Sequence, residues 1–117
     1  MTYRYHVDAA YCDIYGGALP SHPCMDAPLP EDTSEDRPHI AFTPYMRQLT
    51  ERVIDGLENP LDRARAIYDY LTQHIDYRYQ PPYLLLGSIA DDCAHSLRGD
   101  CGVMALTFIT MCRIAGV

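Results

Sequence analysis

Residues Cys101 to Ala115 leave no polar face at helical spacing: Val103, Met104, Ala105, Leu106, Phe108, Ile109, Met111, Cys112 and Ile114 point in every direction around the axis. Gly116 stands where a C-cap glycine belongs. A helix that is apolar all round has to be covered on every side. That demand constrains the rest of the chain more than any other feature does.

The upstream sequence supplies two helices that could meet part of it. Thr43-Pro44 is an N-cap followed by proline at the first helical position, where the missing N–H costs nothing. Met46, Leu49, Val53 and Leu57 then recur as one buried stripe. Asn59-Pro60 repeats the start signal after a tight turn from Gly56 to Asn59. Leu61, Ala64, Tyr68, Leu71 and Ile75 form a second stripe, with Asp62, Arg63, Arg65, Asp69 and Gln73 toward water. Ile75 to Tyr79 continues as a short extended segment that Pro81-Pro82 ends, and Ser88 to Leu97 fits a short capped helix.

The chain divides near residue 42. Tyr3, Tyr5, Val7 and Ala9 alternate with Arg4, His6 and Asp8, the period of a half-buried strand. Between Gly16 and Pro38 the pattern dissolves into prolines and the acidic residues Glu31, Asp32, Glu35 and Asp36, as in a linker or mobile arm. The expected organisation is therefore a strand plus linker over 1–42 and a helical unit over 43–117. One stripe from each of two helices does not cover the apolar helix, so a truncated domain is expected. Its missing faces would be covered by strands beyond Val117 or by another copy.

The net charge of -7 argues against a nucleic-acid or anionic-membrane partner, both of which call for a basic face. No apolar run is long enough to span a bilayer. The N-terminal residues lack the pattern of a signal peptide, and the compartment is left open. The 5 cysteines, Cys12, Cys24, Cys93, Cys101 and Cys112, are odd in number and contain no C-x-x-C pair, which points to reduced thiols.

Among those thiols Cys101 is distinguished by position. Asp100 is suited to cap the apolar helix, which puts Cys101 in the first turn, where the positive end of the helix favours a thiolate. The Asp100 carboxylate opposes part of that effect. Gly102 leaves room beside the sulfur, and the Cys101 backbone N–H is a natural oxyanion donor. The competing reading is a small buried hydrophobe.

Asn59-Pro60-Leu61-Asp62-Arg63-Ala64-Arg65-Ala66-Ile67-Tyr68-Asp69-Tyr70-Leu71, Ile75-Asp76-Tyr77-Arg78-Tyr79, Gly99-Asp100-Cys101-Gly102-Val103-Met104-Ala105-Leu106 and Cys112-Arg113-Ile114-Ala115-Gly116-Val117 resemble the first half of a bacterial transglutaminase-like domain. Phe42-Thr43-Pro44-Tyr45 resembles the segment preceding that core, so the likeness runs from about His39 to Val117. It implies a papain-like α+β fold, its nucleophile on a central helix against an antiparallel sheet that is largely absent from this chain. The nucleophile carries over to Cys101, while the family's histidine and aspartate come later, on sheet strands. The implied chemistry is thioester-forming acyl transfer on a protein or peptide substrate, by a protease, an amidase or a glutamine acyl-transferase. Without the histidine the chain is expected to be inactive alone.

None of the five histidines replaces it: His95 is nearest in sequence but the intervening Ser96 to Asp100 loop does not aim it at the sulfur, His74 is on the polar side of its helix, and His6, His22 and His39 belong to the arm. Asp91, Asp92, Cys93 and His95 with Asp100 and Cys101 fit no common zinc pattern, so no metal and no cofactor is invoked. Tyr79, with Tyr77, is a candidate side-chain donor to the oxyanion site, although packing is the plainer role. The tyrosines from Tyr68 to Tyr83 suggest a semi-polar groove wall. Two alternatives are retained. One is a noncatalytic interaction module in which Cys101 is buried and exposed apolar surface drives self-association. The other is a cell-wall peptidase, disfavoured because Ser-Gly would be expected after the cysteine.

Overall fold

The computed structural model describes residues 28–79 and 87–117. The expected strand over Thr2–Ala10, and Pro81-Pro82, lie outside the described residues. The architecture is α+β: α1 (Pro44–Val53), α2 (Pro60–His74), β1 (Asp76–Tyr77), α3 (Ile89–Ser96), β2 (Arg98–Gly99) and α4 (Cys101–Ala115). β1 and β2 pair in parallel, with Asp76 opposite Arg98 and Tyr77 opposite Gly99. No antiparallel sheet is present among the described residues; an isolated antiparallel bridge joins Asp36 and Ile40.

Each helix begins on the cap its sequence advertises. Asn59 Oδ1 accepts the Leu61 N–H at 2.8 Å, and the Ser88 and Asp100 side chains open α3 and α4 in the same way. The Thr43 hydroxyl makes two contacts, accepting the Met46 N–H at 3.1 Å and donating to Asp91 in the first turn of α3. A carboxylate at that end of α3 also opposes the positive end of the helix dipole. One hydroxyl thus starts α1 and ties it to α3.

α4 packs against α1, α2 and α3. The shared core includes Met46, Leu49, Ile67, Leu71, Cys93 and Met111. Ile67 is fully buried, whereas Leu61 and Tyr68, both expected on the inner stripe of α2, are exposed. The apolar sector of α2 is therefore rotated toward Ile67, because the Tyr68 ring can keep a wet edge while Ile67 cannot. Burial of a side chain of that size contributes roughly 1.5–3 kcal/mol. Arg63 is a second correction to the expected polar face. It is half-buried, and its guanidinium donates to Leu57 O at 2.8 Å and to Ala115 O at 2.9 Å, closing the turn before α2 and the C-terminal end of α4 together.

α1 ends at Val53, so Leu57 falls in the following turn, where Gly56 adopts φ 73°. That left-handed conformation is open to glycine without strain. Thr50, not anticipated on the buried stripe of α1, is fully buried there. Residues 28–42 run in turns along the helices: Arg113 donates to Ser34 O at 2.9 Å, and Ile40 and Ala41 are buried. Glu35 accepts from Arg37 and from the Phe42 N–H, and the Arg37 guanidinium holds its carboxyl below the usual range.

Replacing Thr43 with alanine removes both the α1 cap and the tie to Asp91, and an unfolding free energy lower by about 1–2 kcal/mol is expected. Thr43→Ser keeps both bonds. Urea titration of the two variants tests this: equal losses in both would show that the hydroxyl is not the cause.

Candidate active site

The polypeptide reaches Cys101 through a constriction. A Cβ on Gly99 would stand 2.9 Å from Val103 Cγ1 and 3.2 Å from Cys93 Sγ. Val103 and Cys93 are both buried, and valine is stiff at χ1, so neither can yield cheaply. Only a residue without a side chain lets β2 pass between α3 and the start of α4. Immediately after it, Asp100 Oδ1 accepts the Val103 N–H at 3.0 Å and Asp100 O accepts the Met104 N–H at 2.9 Å. α4 is set in place from its first turn.

Cys101 and Gly102 are exposed at that end of the helix. The Asp100 carboxylate takes the third N–H of the turn, and the Cys101 N–H has no acceptor among the described residues. Among the described residues the requirement that α4 be covered all round is met except along one stripe. Ala105 is exposed and Ile109 is 40% exposed, four and eight residues after Cys101, so an open stripe runs down the helix from the thiol. The inner side instead holds the helix's two threonines, Thr107 and Thr110, both fully buried. Their hydroxyls donate back to Val103 O at 2.8 Å and Leu106 O at 2.7 Å.

Within this chain Cys101 is not a buried structural thiol. Cys93 and Cys112 fill that role, while Cys101 is exposed. Burial pushes the Cys93 thiol up, and pushes Cys112 up to about 11. The parallel pairing sets Tyr77 opposite Gly99, and the Arg78 N–H donates to Gly99 O at 2.9 Å. A packing role for these tyrosines does not hold: Tyr77 is 69% and Tyr79 90% exposed.

The remaining candidates are committed elsewhere. His95 lies 3.6 Å from Asp91 and stacks on Tyr45 with ring centroids 3.8 Å apart. His74 Nδ1 is 2.8 Å from Tyr70 O and its ring stacks on Tyr70. Asp91 is divided between Thr43 and His95, and Cys93 is sealed in the core, so the acidic and thiol groups of α3 point to different neighbours. No cluster of three or more metal-binding side chains occurs among the described residues. The concave surfaces lined by Tyr45, Gln48, Glu51, Arg52 and Asp55, and by Leu49, Arg52, Val53, Tyr70 and His74, lie on the α1 and α2 side of the molecule. Sequence reasoning missed β2, whose two residues carry no periodic signal; the glycine before the Asp-Cys pair was its one trace.

Residues 47–117 match the family model described as the transglutaminase-like superfamily. No curated protein and no solved structure is significantly similar to the chain.

Two outcomes follow from this geometry. Gly99→Ala forces Val103 or Cys93 to move and lowers stability by about 1–3 kcal/mol in denaturant titration; an unchanged midpoint would show that no such constriction exists. The second concerns pH. The Cys112 proton leaves the unfolded chain near 9.0 and the folded chain near 11, so the folded state keeps a proton that the unfolded state has lost. Stability therefore falls as pH rises through that window, and melting temperatures of the wild type should drop more steeply there than those of Cys112→Ala.

Proposed function

Since the chain belongs to the transglutaminase-like superfamily, we propose that Cys101 is the nucleophile of a cysteine acyl-transfer reaction on a carboxamide or peptide bond of a protein or peptide substrate. The observation that carries this reading is the exposure of one thiol at the start of a rigidly capped helix, while its two described companions are buried. Exposure gives the carbonyl carbon access to sulfur.

In this reading the Cys101 sulfur attacks the carbonyl carbon, and the carbonyl oxygen takes up the negative charge. The Cys101 N–H, which has no other acceptor among the described residues, donates to that oxygen, with the Tyr79 phenol as a second donor from the passing strand. Collapse expels the amine and leaves a thioester, which water or an acceptor amine then resolves. Asp100 positions the nucleophile by capping, and Gly102 keeps the approach clear. The papain-like arrangement, with a sheet against the nucleophile helix, agrees with the open Ala105 and Ile109 stripe.

Proton transfer needs a further group. His74 and His95 are held by Tyr70, Asp91 and Tyr45, so the base and its orienting carboxylate are assigned to groups other than these. The noncatalytic alternative has Cys101 covered by a partner or a second copy; within the described chain it is exposed.

The thioester is the testable intermediate. Incubation with a glutamine-containing peptide and a primary amine, followed by intact mass measurement, should show a Cys101-linked acyl adduct in preparations that turn over and none with Cys101→Ser. Turnover by Cys101→Ala at the wild-type rate would sink the proposal.

A further inference from the structure

We draw no further inference here: the strongest candidate, the open apolar stripe of Ala105 and Ile109 that runs down α4 from Cys101, is an unpartnered helix face, and nothing in the structure shows what covers it.

Discussion

Gly99 is the position from which the geometry around the thiol is set, because the gap between Cys93 and Val103 there admits backbone and nothing more. A buried cysteine from α3 lies on one side and the first inward residue of α4 on the other, so the two helices approach as closely as a main chain permits. β2 occupies that gap and pairs with β1, which sets Tyr77 opposite Gly99, two residues before the thiol. Capping by Asp100 then fixes the direction in which α4 departs. Removing any one of these contacts would leave Cys101 on a helix of the right composition with its surroundings unspecified.

Electrostatics reinforces that placement at both ends of α4. Its first turn is met by the Asp100 carboxylate, and its last carbonyls lie near the Arg63 guanidinium, so each end of the dipole faces a side chain of opposite sign. The same pairing recurs in miniature where Asp91, in the first turn of α3, receives the Thr43 hydroxyl. These contacts are local in sequence at one partner and distant at the other. They convert helix boundaries, which are local properties, into a fixed arrangement of helices.

That division explains what the sequence made legible. Caps are written in single residues with a direct physical function, and Thr43, Asn59, Ser88, Asp100 and Gly116 mark the helix ends where the structure has them. The inward face of α2 was harder: Leu61, Tyr68 and Ile67 are all apolar enough to be candidates, and the choice among them depends on where α4 lies. α4 itself carried no phase information, since a surface with no polar sector does not say which side is left open. Arg63 was placed with the solvent face because its type predicts that, yet its long side chain reaches a carbonyl distant in sequence. The identity of Cys101 as the candidate nucleophile was legible from its cap and its position. The exposure that separates it from Cys93 and Cys112 is a tertiary fact.

The two threonines on the inner side of α4 have a consequence for how this fold can change over time. Their hydroxyls are satisfied by carbonyls of their own helix, one turn back, so they ask little that is polar of the residues that surround them. Around these two positions the neighbouring helices need to offer mainly shape and apolar volume, requirements that many combinations of aliphatic side chains fulfil. The polar requirement on them is concentrated at the far end of α4, where Arg63 meets Ala115 O. Sequences that face the middle of α4 are free to drift around an almost unaltered scaffold for the thiol.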